Sequence, residues 1–269
     1  MMSYRRYRRN PIVWRRSHSD CFVVGILASI LIASGEHERQ ELPQRVVENI
    51  ASFKRQHPGL EHRLFRAEET RAFIAAEYGG EVLAAYDALK PFAFKSDLAR
   101  HCILLKHGGV YADLSVYFLA SWNLAPARLG AFRDFLYAAP WQVANTIIYA
   151  PPGHKAIARA IEMICANVKS RYYGASFLCP TGPVAFGKAI AESCLAEDMV
   201  SGDSMMLDEI PGQPGLIGPS THAFVFQNRA MAVKRKRGGG SLLEIGLRGG
   251  NTYRDLWSRR EIYQDAPPQ

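Results

Sequence analysis

The sequence predicts an α/β fold in which a mostly parallel central sheet is flanked by helices. Three observations carry that expectation. The first ninety residues read strand, helix, strand, helix, the alternation of a sheet built from crossover units. Residues 21–33 (CFVVGILASILIA) are uncharged and rich in Phe, Val and Ile, as a strand buried on both faces is. At Gly108-Gly109 the apolar spacing changes from the helical period to a period of two. The 269 residues can bury a large core, and 48% hydrophobic with 22% charged residues is the balance of an ordinary globular protein.

Arg5, Arg6, Arg8, Arg9, Arg15 and Arg16 precede the first acid, Asp20, and supply six of the net +8, which leaves +2 on the rest of the chain. Residues 1–20 are therefore expected to be a basic, flexible extension ahead of one domain over 21–265. The 15 uncharged residues between Asp20 and Glu36 fall short of the roughly 18–20 that cross a bilayer as a helix. Three readings fit them: a buried first strand, the apolar region of a secretory signal, or a short anchor. The strand formers Phe22, Val23, Val24, Ile26, Ile30 and Ile32 favour the first.

Leu42-Pro43 opens a helix with Val46, Val47, Ile50 and Phe53 at helical spacing, closed by His57-Pro58-Gly59. Residues 60–65 read as the second strand. Helices over 68–78 and 81–89 are separated by Gly79-Gly80. Pro91 suits the start of the next helix, whose apolar side is Leu98, Ala99, Cys102, Ile103 and Leu105, and Gly108 stops it. Beyond it, Val110, Ala112, Leu114, Val116 and Phe118 alternate with Tyr111, Asp113, Ser115 and Tyr117, so an extended strand would aim Asp113 and Ser115 at one ligand. Residues 146–149 read as a strand, 155–168 as a helix, and Thr181-Gly182-Pro183 as the start of another. The Pro- and Gly-rich stretch 211–219 and the basic run Lys234 to Arg237 before Gly238-Gly239-Gly240 read as exposed, mobile chain.

Charge in terminal and loop segments, without interleaved aromatics or a recognisable reading module, argues against nucleic acid as partner. The same segments suit peripheral contact with an anionic membrane. The five cysteines, Cys21, Cys102, Cys165, Cys179 and Cys194, are scattered without a Cys-x-x-Cys pair, as in a reduced, cytoplasmic setting, including the inner face of the membrane.

The chemistry concentrates between residues 95 and 115. Asp97 and Arg100, three apart, are neighbours on a helix surface. They form either a surface ion pair or a pair of ligands, the carboxylate accepting from sugar hydroxyls and the guanidinium donating to hydroxyl or phosphate oxygens. Tyr111 is either a core aromatic or a platform beneath a sugar or base. Asp113, at a strand end, is either a turn residue or a ligand of a hard cation that neutralises a departing diphosphate. Their joint order favours the ligand readings. Thr181-Gly182-Pro183 offers a helix N-terminus to an anion, or an ordinary cap. His107, His154 and His222 have no metal or triad spacing; His222 is the one weighed as facing a diphosphate.

The stretch FKSDLARHCILLKHGGVYAD, residues 94–113, resembles the sugar-binding region containing the DXD motif of glycosyltransferase family 32. Weaker likeness runs through 42–59, 145–154, 181–183 and 251–263. The resemblance implies a GT-A-like nucleotide-sugar-binding fold and a nucleoside diphosphate sugar donor. It also implies a divalent cation (Mn2+ or Mg2+) and retaining transfer of a hexose, such as mannose, to a glycan or lipid-linked acceptor in bacterial-type polysaccharide or glycolipid assembly. It gives Asp97, Arg100 and Asp113 as the catalytic set, with Gly109, Tyr111 and Ser115 joining them in substrate binding. Asp113 and Ser115 would be the metal ligands. Ser115 stands where the motif has its second Asp and brings no charge, so metal affinity is expected to be weak unless another acid, such as Asp255 or Glu261, compensates. The alternative is a binding protein that keeps the sugar pocket with weakened catalysis.

Overall fold

Strand β1 (Ile26–Leu31) is the apolar run, and five of its six residues are buried. It lies between β2 (His62–Arg66) and β3 (Gly109–Ala112), parallel to both. The strand reading of the run is the one the fold contains. The computed structural model describes residues 25–122, 128–134, 142–210, 214–236 and 242–264, so the expected extension 1–20 and residues 21–24 lie outside it. Among the described residues no helix is long and apolar enough to cross a membrane.

Parallel neighbours need crossovers, and the helices supply them. α1 (Gln44–Gln56) joins β1 to β2; α2 (Ala67–Glu77), α3 (Gly80–Ala88) and α4 (Phe92–His107) lie between β2 and β3. After β4 (Val116–Phe118), β5 (Leu129–Asp134) and β6 (Val143–Ala150) come α5 (Lys155–Lys169) and α6 (Pro183–Ser193). The chain then adds β7 (Met199–Leu207), β8 (Thr221–Phe226), β9 (Arg229–Lys234) and α7 (Tyr253–Ser258). The strand order is β2-β1-β3-β6-β5-β7-β8-β9-β4. Pairing is parallel across β2-β1-β3 and between β5 and β7, and antiparallel at the other five contacts, so the helix-flanked sheet is mixed. The β8–β9 hairpin turns through Gln227 and Asn228, both at positive φ (48° and 63°), the mirror-image turn that matches strand twist.

Two features near β3 position the site. Gly109 has φ 100°, and a Cβ there would lie 2.0 Å from the Ile26 carbonyl oxygen. The Gly-Gly pair thus lets β3 close against β1. The expected long strand also breaks: the Val116 amide donates to the Asp113 carbonyl at 3.0 Å, closing a turn over 113–116. Asp113 and Ser115 therefore do not share a strand face, contrary to the alternation. The turn carries the chain from β3 in the middle of the sheet to β4 at its far edge, so the sheet curls back on itself.

The core divides along the faces of β1. Ala28, Ile30 and Ile32 pack with Ile74, Leu98, Cys102 and Phe186 of the helical layer. Leu27, Val110 and Ala112 pack on the other side with Phe53 of α1, Phe118, Phe132 and Tyr149. Phe53 stacks on Phe118 with ring centroids 4.6 Å apart. Fully burying a side chain of this size contributes about 1.5–3 kcal/mol.

Candidate active site

A cavity of about 470 Å³ opens beyond the carboxyl ends of β1 and β3, where parallel neighbours leave β1 on both sides. Such crevices are where open α/β sheets take ligands. Helix α4 presents Asp97 and Arg100 to it, and the 113–115 turn presents Asp113, Leu114 and Ser115.

Asp97 and Arg100 are a buried pair, not a surface one: they are 7% and 5% exposed, with Arg100 Nη2 3.0 Å from Asp97 Oδ1. The guanidinium is also 3.4 Å from Asp113 Oδ1 through Nη1, which donates to the Asn145 carbonyl as well. Its Nε donates to the Ser96 carbonyl at 3.1 Å. With its fork engaged by protein, Arg100 fastens the two carboxylates to each other and to β6; the expected donation to phosphate is not what its geometry offers.

Tyr111 is buried, with the Arg100 guanidinium 4.5 Å from its ring centroid, and its hydroxyl donates to Asp113 Oδ1 at 2.8 Å. It orients Asp113; the ring face expected beneath a sugar or base is taken by Arg100. Burial raises the Tyr111 hydroxyl well above its usual pKa, which keeps it a donor. Gly109 does not line the cavity; its place is the β1–β3 contact.

Asp97 accepts from Asn145 Nδ2 at Oδ1 and from Thr181 Oγ1 at Oδ2, each at 2.8 Å. Burial raises its pKa, while Arg100, Thr181 and Asn145 act in the opposite direction. Three protein donors leave one of the roughly four acceptor positions of a carboxylate for a ligand hydroxyl. Thr181 thus serves Asp97; Gly182, without a side-chain cap, is the N-cap of α6. A Cβ at Gly182 would sit 3.4 Å from Asp97 Oδ2, so glycine keeps the space beside the carboxylate open.

The third carboxylate at the cavity is Asp134 at the end of β5, which accepts from Gln142 Nε2 at 2.9 Å. Asp255 and Glu261 do not line it. Asn251 instead ties the C-terminal segment to α4, accepting from the Phe92 amide and donating to the Lys90 carbonyl. His222 does reach the cavity wall, where its ring stacks on Phe224 and its Nε2 meets Ser204 Oγ at 2.5 Å. Burial, then the nearby Lys234, push its pKa down to about 4. His107 stacks on Phe73, and His154 accepts from the Ala156 amide at the start of α5, so the three histidines do not converge.

The basic run is the largest departure from expectation. Lys234 closes β9, and Lys234 and Lys236 line the cavity instead of projecting as exposed chain. Burial lowers both ammonium pKa values, that of Lys236 to about 8. Asn145, Asp134, Lys234 and Lys236 were not recognisable as site residues: strand register, which no local pattern shows, decides which side chains of β5, β6 and β9 turn inward.

Residues 43–134 match a family described as a glycosyltransferase sugar-binding region containing the DXD motif. HOC1 of Saccharomyces cerevisiae, named as a glycosyltransferase, is 27% identical over 150 residues, covering 49% of this chain and 38% of that protein. Inositol phosphoceramide mannosyltransferase 3 of Schizosaccharomyces pombe is 37% identical over 76 residues, 28% of this chain and 21% of that one. This chain thus spans less than half the length of these curated relatives. The solved PaToxG glycosyltransferase is 15% identical with a TM-score of 0.49, covering 63% of this chain and 69% of that one. Both acids of the buried cluster, Asp97 and Asp113, and the Arg100 that joins them fall inside the span, residues 43–134, that matches the DXD-containing glycosyltransferase sugar-binding region.

Proposed function

We propose that this protein is a retaining glycosyltransferase that moves a hexose from a nucleoside diphosphate sugar to a glycan or lipid-linked acceptor. The observation that carries the reading is the pair of carboxylates, Asp97 and Asp113, held on one buried guanidinium at the mouth of a sheet crevice. In the reaction, the bond from the sugar C1 to the phosphate oxygen breaks and a bond from C1 to the acceptor oxygen forms. The departing diphosphate takes the electron pair, and one of its oxygens takes the acceptor proton. Asp97 binds sugar hydroxyls through its remaining acceptor position. Asp113, with its side chain 30% exposed, faces the donor while Tyr111 and Arg100 hold its other edge. Arg100 and Tyr111 are positioning residues.

The family resemblance brings a divalent cation with it, and the donor set fits one poorly. Among the described residues no cluster of three or more His, Cys, Asp or Glu could hold a metal. Ser115 replaces a carboxylate, Asp113 Oδ1 is engaged by Tyr111, and two lysines line the same cavity.

Residues 21–265 are read as one catalytic domain, and the basic residues 1–20 as a segment that brings it to the anionic inner face of a membrane where lipid-linked acceptors reside. Unchanged partition onto anionic vesicles after removal of residues 1–19 would count against the membrane role. A hydrolysis screen of UDP- and GDP-sugars, with and without Mn2+, tests the central reading. GDP-mannose comes first because one relative is named a mannosyltransferase. Release of a nucleoside diphosphate from one donor, lost in Asp113→Ala, is expected; no release from any donor in either condition refutes it.

A further inference from the structure

We propose that Lys234 and Lys236 bind the donor diphosphate and supply the positive charge that a divalent cation would otherwise bring. The inference rests on the nucleotide-sugar reading above and extends it to residues outside the matched region.

The position of the two side chains carries the argument. Strands β4 and β9 pair antiparallel with Val116 opposite Lys234, and the Arg235 amide donates to the Ser115 carbonyl at 2.7 Å. Residues 234 and 235 therefore lie alongside the residue that stands in place of the second acid. Successive residues of extended chain point to opposite sides, and the run follows that rule. Arg235 turns away from the cavity, pairs with Glu48 at 2.9 Å and covers the Tyr117 ring at 4.0 Å. Lys234 and Lys236 turn into the cavity.

Charge and burial point the same way. Both lysines are partly buried, and neither ammonium makes a hydrogen bond or a close ion pair among the described residues. An ammonium withdrawn from water without a partner is unfavourable unless an anion completes it. Such groups in a cleft mark ligand sites. Asp113 and Glu244 are the acids whose fields reach both lysines, and Asp134 also reaches Lys234; Asp113 stands at the cavity with its Oδ1 engaged by Tyr111 and Arg100. Relative to an Asp-x-Asp pair, the Asp113-Leu114-Ser115 turn has one negative charge fewer. Two ammonium groups beside it repel a dication and attract a diphosphate, whose oxygens accept charge-assisted hydrogen bonds.

The test is calorimetric titration of the full chain with UDP and GDP, in EDTA and in Mn2+, with uridine and guanosine as controls. One nucleoside diphosphate is expected to bind with an affinity that changes less than about threefold on removing Mn2+. Lys236→Gln should weaken it about tenfold, and Lys234→Gln with Lys236→Gln about 100-fold, the scale of one charge-assisted hydrogen bond each. Lys236→Arg should restore most of the loss, and binding of the matching nucleoside should not move. Unchanged thermal unfolding and the nucleoside control separate this from misfolding. Affinity that requires Mn2+ and ignores both lysines overturns the inference and leaves the glycosyltransferase reading standing. Absence of binding by either nucleoside diphosphate in both buffers overturns the nucleotide-sugar reading itself.

Discussion

Replacing Arg100 by Lys keeps the charge beneath the site and removes the fork. The guanidinium spans the Ser96 carbonyl, the Asn145 carbonyl, Asp97 and Asp113 from three nitrogens. A lysine ammonium is a single point on a flexible stem and cannot occupy those positions together. If it stays with Asp97, at least the two backbone carbonyls and the reach to Asp113 are lost. Hydrogen bonds from a charged donor contribute about 1.5–3 kcal/mol each, and part of that returns because the retained charge still offsets the carboxylates. Arg100→Lys should therefore cost about 2–4 kcal/mol. Arg100→Met, which leaves two carboxylates without their cation, should cost about 3–5 kcal/mol. Urea unfolding reads this as a lower midpoint at an unchanged denaturant slope. Donor hydrolysis should fall with it, since Asp113 loses one of its two holds. A change below about 0.5 kcal/mol for Arg100→Lys would refute the view that the fork organises the site.

Thr181→Val keeps the shape of a fully buried side chain and removes the donor to Asp97 Oδ2; a loss of about 1–3 kcal/mol in urea unfolding is expected, and no loss would mean that another donor takes its place. Gly109→Ala forces a Cβ to within 2.0 Å of the Ile26 carbonyl at a φ of 100°, so soluble yield and thermal midpoint should both drop sharply; a stable variant would contradict the β1–β3 closure. Ser115→Asp restores the missing charge, and Mn2+ should then tighten UDP or GDP binding at least about tenfold where it leaves the parent protein nearly unchanged, read by the same calorimetric titration. The Lys236 ammonium, with its pKa lowered to about 8 by burial and Lys234, loses its proton in the free protein as pH rises past that value. Diphosphate binding should weaken by up to about tenfold per pH unit above 8, and pH-independent affinity from 7 to 9.5 would oppose the role. The sign for stability is opposite: between pH 8 and 10.5 the unfolded chain binds the proton that the folded one has released, so this group's penalty, present below 8, is relieved as pH rises.

Much of the first half of the fold was legible because its signals are local. The β1 run, the Pro and Gly punctuation around α3 and α4, and the three-residue spacing of Asp97 and Arg100 each depend on a few consecutive residues. The 113–116 turn was not legible, since Tyr-Ala-Asp-Leu-Ser-Val-Tyr alternates well enough to pass for one strand. The turn arises because the chain must leave the middle of the sheet for its far edge. The strands β7 to β9 escaped notice for a related reason: Met-Val-Ser-Gly-Asp-Ser-Met-Met-Leu has little apolar period, and its pairing with β5 and β8 holds it extended.

The sequence alone thus led to an α/β chain, to a helix bearing Asp97 and Arg100 on one surface and to a family resemblance centred on Asp113, and it favoured a buried first strand over a signal region or an anchor without excluding them. Tertiary structure decided what those residues do. Arg100 became the hub of two carboxylates, Tyr111 a prop for Asp113, Thr181 and Asn145 the partners of Asp97, and a basic run resembling a loop became the cavity wall. The reason is physical. Secondary structure and helix neighbours follow from spacing along the chain, but which side chains share a buried space follows from strand register and sheet curl, and these bring residues 97, 113, 145 and 234 to one cavity with Thr181 buried behind Asp97.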